Sequence, residues 1–315
     1  MKYIKDLHEG DKVSGIYLIK TKNSAVTKNG KEYENVILQD KTGTLDGKIW
    51  DPHSDGIAEF QPLDYVEIFG DVSVFNNALQ ISIKRARKCT EGEYNPADYV
   101  PVSERDNDEM YEELKELIKS IGNKNLHKLL LKLFVENEEY VKRFRKSSAA
   151  KSVHHAFVGG LLEHTLGVAK LCDHIARTYP ILNRDLLVTA GLMHDIGKVN
   201  EFSPFPQNDY TDAGQFLGHI VMGTQMIDRM TADDSEFPPL LKQELEHCIL
   251  AHHGKLEYGS PKLPMIPEAI ALNLADEIDS KMETMKELFA ASNQAGWQGF
   301  NRLFNTYIFE TQVEG

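Results

Sequence analysis

The chain has 315 residues, enough for two domains with substantial cores, and its formal charge of −13 (35 Lys+Arg against 48 Asp+Glu) argues against general nucleic-acid affinity. No apolar run approaches the roughly 18 residues of a membrane-spanning helix, and Met1-Lys2-Tyr3-Ile4-Lys5-Asp6 lacks the apolar core of a secretion signal, so a cytoplasmic location with no membrane partner is expected. Cys89, Cys172 and Cys248 are odd in number and outside any CxxC spacing, as suits a reducing compartment.

Residues 1–89 read as five short strands. Val13, Gly15, Tyr17 and Ile19 alternate with opposite-face neighbours, and Lys28-Asn29-Gly30-Lys31 marks a hairpin whose Asn-Gly pair accepts positive φ at both central positions. Further strands are expected at Tyr33–Asp40, Thr44–Trp50, Tyr65–Val74 and Leu79–Ala86, with a helical or irregular insert over 51–62. Five strands with that insert match the OB-fold β-barrel. Such a barrel binds single-stranded nucleic acid through stacking aromatics and cations that track the backbone. Tyr17, Lys20, Lys22, Lys28, Tyr33, Lys48, Trp50 and Phe75 are the candidates, with burial in the barrel interior as the competing role for each aromatic. The segment carries 13 Lys+Arg against 13 Asp+Glu, so stacking has to do more than charge. Oligosaccharide or protein binding is the rival function.

Residues 90–108, with Gly92, Pro96 and Pro101 and no apolar period, read as a linker. From Glu109 the spacing turns helical, and an all-helical domain is expected over 109–315. Between Ser120 and Lys151 eight Lys+Arg face three acids, a net of +5. A charge run is usually a solvated face, yet here Arg143 and Arg145, in Lys142-Arg143-Phe144-Arg145-Lys146, could guide a phosphodiester past the surrounding acids. His154 suits capping or hydrogen bonding behind the site, and His155 a contact to substrate phosphate. Residues after Ala290, Trp297 and Phe300 among them, are expected to cover the core.

The chemistry centres on Leu192-Met193-His194-Asp195-Ile196-Gly197-Lys198, where a histidine and an aspartate end the apolar helical run Leu186, Leu187, Val188, Ala190 and Leu192. Gly197 is a plausible helix stop. A salt bridge would compensate a buried ionisable pair, and so would a cation. His164, His219, His252-His253, Asp276 and Asp279 each sit within an apolar helical pattern, as if several helices aimed one ligand each at a common centre. Imidazole nitrogen with carboxylate oxygen suits manganese, iron, zinc or nickel better than calcium or magnesium. The set is too large for one tetrahedral zinc, whereas a pair of metals sharing a carboxylate would use it all. Lys255 and Lys262 lie on the loop after the double histidine, within reach of a phosphate.

The order His164, His194-Asp195, Asp276 resembles the HD-domain metal-dependent phosphohydrolases over residues 150–290, and His219 with His252-His253 resembles the members that hold two metals. An OB-like barrel ahead of such a domain, with Gly159-Gly160-Leu161-Leu162-Glu163-His164-Thr165 and His252-His253-Gly254-Lys255-Leu256-Glu257-Tyr258-Gly259-Ser260-Pro261-Lys262, resembles the YhaM family of 3′–5′ exoribonucleases over nearly the whole chain. The resemblance implies a manganese-type dinuclear exonuclease, with iron, cobalt, nickel or zinc as other metals. Its substrate would be single-stranded RNA, and often DNA, degraded from the 3′ end to nucleoside 5′-monophosphates; a homo-oligomer is left open. In this reading Asp195 bridges the metals, His164, His194 and Asp276 complete one site, and His219, His252 and His253 the other. A hydroxide activated by both metals attacks phosphorus. Lys198 clamps a phosphate or is an ordinary cation in a helix's last turn, and Asp279 orients a ligand histidine. Two other readings stand beside it. One is a phosphodiesterase or phosphatase acting on a small nucleotide, with the barrel as sensor. The other is a catalytically silent protein with a structural metal site.

Overall fold

The computed structural model describes residues 2–27, 29–76, 78–151, 155–292 and 295–312. Lys28 and His154 therefore lie outside the described residues. The chain divides into two compact units, residues 1–102 with 204–209, and residues 103–203 with 210–315.

The first unit is built on five strands, β1 (Lys12–Val26), β2 (Glu32–Asp40), β3 (Gly43–Ile49), β4 (Tyr65–Phe75) and β5 (Ala78–Lys88). They close a barrel in the order β1-β2-β3-β5-β4. Only β3 and β5 pair in parallel; the other pairs are antiparallel. That is the Greek-key order of an OB-fold. Two-residue alternation turns Val13, Val36, Leu38, Leu45, Ile68 and Ile81 into one apolar core. The segment between β3 and β4 is irregular. The β1–β2 turn departs from the expected pattern, because Gly30 (φ 78°) is the one described turn residue with positive φ. The loop closes instead by Thr27 N–H donating to Lys31 O at 2.8 Å, which lets Asn29 keep an ordinary conformation. Tyr17 also needs correction as a stacking candidate. It shares the inward parity of Val13 and is fully buried, with its hydroxyl donating to Lys2 O at 2.7 Å.

The second unit is mainly helical: α1 (Asn107–Lys119), α2 (Lys124–Leu131), α3 (Glu138–Phe144), α4 (Gly160–Thr178), α5 (Arg184–Met193), α6 (Lys198–Glu201), α7 (Asp212–Thr231), α8 (Pro239–Ala251) and α9 (Pro267–Ala291). Asp106, Asn123, Asn183 and Thr211 accept main-chain N–H groups at the starts of α1, α2, α5 and α7, supplying partners those first turns lack. Leu114, Leu130, Leu166, Leu187, Leu192 and Ile249 belong to one continuous core. The unit is not helical throughout. A hairpin of β6 (Trp297–Asn301) and β7 (Thr306–Phe309) follows α9. Its aromatics pair across the strands, Trp297 with Phe309 and Phe300 with Tyr307, which favours a hairpin over a helix. Trp297 and Phe300 stand exposed, at 64% and 52%, rather than covering the core.

Candidate metal centre

From Leu186 to Met193 every residue of α5 is buried, so the residues that follow its last turn, His194 and Asp195, are carried into the interior. α4 brings His164, the second half of α7 brings His219, the end of α8 brings His252 and His253, and α9 brings Asp276 and Asp279. The predicted ligands therefore meet. His164, His194 and Asp276 form one group, and His219, His252 and His253 a second; within each, the ligand atoms lie within 4.8 Å of one another.

Asp195 stands between the two groups. Its Oδ2 faces His194 Nε2 at 3.2 Å and His164 Nε2 at 3.4 Å, while its Oδ1 faces His219 Nε2 at 3.4 Å and His252 Nε2 at 3.7 Å. Asp276 Oδ1 lies 3.2 Å from His164 Nε2 and 4.0 Å from His194 Nε2.

The imidazoles share a further property. His194, His252 and His253 turn Nδ1 to the carbonyls of Gly191, Ile249 and Tyr258 at 2.8, 2.7 and 2.8 Å. His164 turns Nδ1 to Asp279 Oδ2 at 2.7 Å, and His219 turns its own to Glu201 Oε1 at 3.0 Å. Carbonyls and ionised carboxylates only accept, so each Nδ1 carries the hydrogen, and the Nε2 atoms of His164, His194, His219 and His252 are turned toward Asp195. His252 and His253 are anchored alike, each by a main-chain carbonyl.

Those inward atoms test whether a metal fits. Asp195 Oδ1 and the Nε2 atoms of His219 and His252 are buried with no hydrogen-bond partner among the described residues, while Asp195 Oδ2 meets the Lys198 ammonium at 2.7 Å. Buried polar atoms left so cost free energy unless something else satisfies them. A divalent cation in each group would do so, and the nitrogen-oxygen donor set suits one.

The protonation states of Asp195, His252 and His253 point the same way, whereas for His164 burial is outweighed by bonds to Asp195, Asp276 and Asp279, which raise it above the usual histidine value. Burial pushes the Asp195 carboxyl up, but the Lys198 ammonium and His194 outweigh it and hold it well below the usual carboxylate range. Burial and neighbouring imidazoles keep His252 and His253 below the usual histidine value, as neutral ligands must be. Burial also pushes Asp279 up, but its bonds to His155 and His164 bring it down to about 2.

Two glycines make the assembly possible. Gly197 has an ordinary φ of −67° and does not cap α5; a Cβ there would sit 2.1 Å from His219 O, so it allows the chain behind the dyad to touch the His219 backbone. Gly218 takes φ 72° and ψ 159°, breaking α7 just before His219.

Of the remaining candidates, Lys198 opens α6 rather than closing a helix, and its ammonium lies 2.7 Å from Asp195 Oδ2. The dipole therefore does not account for it, and the ion pair does. His155 is buried with Nε2 3.0 Å from Asp279 Oδ2. Lys255 is exposed, 5.0 Å from the Tyr258 ring centre, and Lys262 is exposed on the same loop. Arg143 and Arg145 are tied to neighbouring segments. Arg143 donates to Val199 O and Asn200 Oδ1 at 2.6 and 2.9 Å; Arg145 pairs with Asp108, donates to Asn107 Oδ1 at 2.8 Å and covers the Tyr111 ring. A guanidinium with this many acceptors is a brace between chain segments.

Sequence reasoning passed over Glu201. It is buried, and burial favours its neutral form, yet the contacts to His219 hold it below the usual glutamate value. Its only trace in the sequence is an acid six residues after Asp195.

In the barrel unit Tyr33 and Trp50 stack at 5.1 Å on the outer face, with the Lys48 ammonium 5.7 Å from the Tyr33 ring centre. Trp50, Phe75 and Lys20 are exposed. Lys22 is held by Glu34 at 3.2 Å and lies over Phe60.

A family model described as the HD domain matches residues 161–281. The chain is 33% identical over 277 residues to the 3′-5′ exoribonuclease YhaM of Geobacillus sp. (strain WCH70), spanning 87% of this chain and 83% of that protein. It is 34% identical over 282 residues to the 3′-5′ exoribonuclease YhaM of Bacillus subtilis (strain 168), spanning 89% and 88%. A solved second OB-fold domain of replication protein A from Methanococcus maripaludis is similar over 30% of this chain and 98% of its own, at 20% identity and a TM-score of 0.24, and adds nothing to the strand order. With a third of the residues identical over more than four-fifths of both chains, and with the residues singled out in the sequence gathered in one place, the chain belongs to the YhaM family of 3′–5′ exoribonucleases.

Proposed function

We propose that the protein hydrolyses the phosphodiester bonds of single-stranded RNA from the 3′ end and releases nucleoside 5′-monophosphates, with single-stranded DNA as a second substrate. The observation that carries this is Asp195, a buried carboxylate with a different pair of imidazoles facing each oxygen. His164, His194 and Asp276 would hold one cation and His219, His252 and His253 the other, with Asp195 shared. When bound, a pair of divalent cations, manganese by our reading, supplies Lewis acidity that activates water near neutral pH and offsets charge on the phosphoryl oxygens.

The chain's own groups do the rest. Lys198, held beside Asp195, offers its ammonium to a non-bridging phosphate oxygen, a charge-assisted bond. His155 and the exposed Lys255 and Lys262 receive the neighbouring phosphates. The barrel's Tyr33 and Trp50, flanked by Lys48 and joined by Phe75 and Lys20, stack the bases of the strand. No described helix is long and apolar enough to cross a membrane. We place the protein in the cytoplasm, where its three buried, unpaired cysteines remain thiols.

The test uses 5′-labelled RNA and DNA of one sequence, with manganese, magnesium or a chelator. Shortening from the 3′ end with manganese and none with chelator is the expected ladder. Intact RNA under every condition, or turnover of small nucleotides alone, would overturn the assignment.

A further inference from the structure

Each metal group contains one imidazole whose Nδ1 meets a carboxylate rather than a main-chain carbonyl: His164 on Asp279 and His219 on Glu201. The second pair is built in an unusual way. Glu201 Oε1 receives both the main-chain N–H of His219 at 2.9 Å and its Nδ1–H at 3.0 Å. One oxygen can take both because Gly218 breaks α7, turning the next amide out of the helical ladder. Glu201 is itself fixed at the end of α6, where its carbonyl accepts Thr211 N–H at 2.9 Å and where Arg143 braces Val199 and Asn200.

The need for such an anchor is local. His252 and His253 are held by carbonyls three and five residues away in their own stretch of chain. His219 follows a break in its helix, and its anchor comes from 18 residues away.

We infer that Glu201 is the positioning residue of the second metal site, fixing the Nδ1–H tautomer of His219 and so aiming its Nε2 at the cation shared with Asp195 Oδ1. The inference rests on the two-cation reading. Removing such a partner of a metal-binding imidazole weakens metal affinity by about 10–100-fold, and here the loss should fall on one of two sites.

The experiment strips the full-length wild type, Glu201→Ala and Glu201→Gln of metal, dialyses them against graded manganese and counts bound ions per chain. Wild type should bind two. Glu201→Ala should keep one at wild-type strength and bind the other about 10–100-fold more weakly. Glu201→Gln, which retains an acceptor oxygen, should lose less than Ala at that same site. Nitrogen-15 spectra of histidine-labelled, metal-free protein supply a second readout. His219 should be Nδ1-protonated in wild type and a mixture of tautomers in Glu201→Ala. If Glu201→Ala does not fold, the glutamine variant decides. Equal weakening of both sites, or two ions at wild-type strength with an unchanged tautomer, overturns the role. A wild type that binds no manganese overturns the two-cation reading, and the role of Glu201 with it.

Discussion

The metal centre and the outer face of the barrel solve opposite problems. At the candidate centre every imidazole is held from behind: five Nδ1 atoms have acceptors, and the Nε2 atoms of His164, His194, His219 and His252 face one carboxylate. On the barrel, Trp50 and Phe75 stand 46% and 62% exposed, with little more than the Tyr33 stack and a neighbouring lysine to orient them. Hydrolysis needs atoms placed to a fraction of an ångström, since misplacement there is costly in rate. Holding a strand of any sequence needs only flat rings and positive charge, because every base offers a π-face.

The sharpest way to break this contrast is Asp195→Ala, which should abolish manganese-dependent hydrolysis while RNA binding, read by fluorescence anisotropy, survives. Loss of binding to the same degree would mean that the two regions are not separable. Chelation should act next most strongly, taking hydrolysis to background, with recovery on adding manganese back.

Proton competition should grade the effect. Burial favours neutral His164, but its bonds to Asp195, Asp276 and Asp279 outweigh that and raise its pKa well above the usual histidine value. A cation at His164 Nε2 has to displace that proton. Apparent metal affinity should therefore weaken as pH falls below the raised value, and binding should release a proton. Calorimetry in two buffers of different ionisation enthalpy measures the release.

On the barrel, Trp50→Ala should cost about 1–3 kcal/mol of single-strand affinity and raise KM with little change in kcat. A fall in kcat alone would place Trp50 in the chemistry instead. Smallest is Tyr17→Phe. With the ring buried and the hydroxyl on Lys2 O, it should lower barrel stability by about 0.5–1.5 kcal/mol in a denaturant titration and leave RNA affinity alone.

What the sequence could and could not disclose follows the same division. Two-residue alternation located the first strand and turn signals helped bound the others, and helical apolar spacing around His164, His194, His252 and Asp276 implied that their side chains share an interior. Such signals are local, and burial writes them directly into residue choice. For Arg143 and Arg145 a charge count cannot see a carbonyl 56 residues away at Val199, nor the acid at Asp108. Gly197 looked like a helix stop, when its reason is the backbone of His219 pressed against it. Glu201 was missed since its partner is distant and is reached only through a break in α7. Tyr17 carried the right parity, but an aromatic ring serves a core and a stacking surface equally well.

The lone pairs gathered around Asp195 have one more consequence. Asp195 Oδ1 and the Nε2 atoms of His219 and His252 face inward with no hydrogen-bond partner among the described residues, so a cation bound there should add to the fold's resistance to heat. The melting temperature should climb with manganese concentration as the native state alone gains a ligand, which makes thermal shift a simple gauge of site loading. In a cell short of the metal, the enzyme would then grow scarce through turnover of loosened molecules before it grew slow.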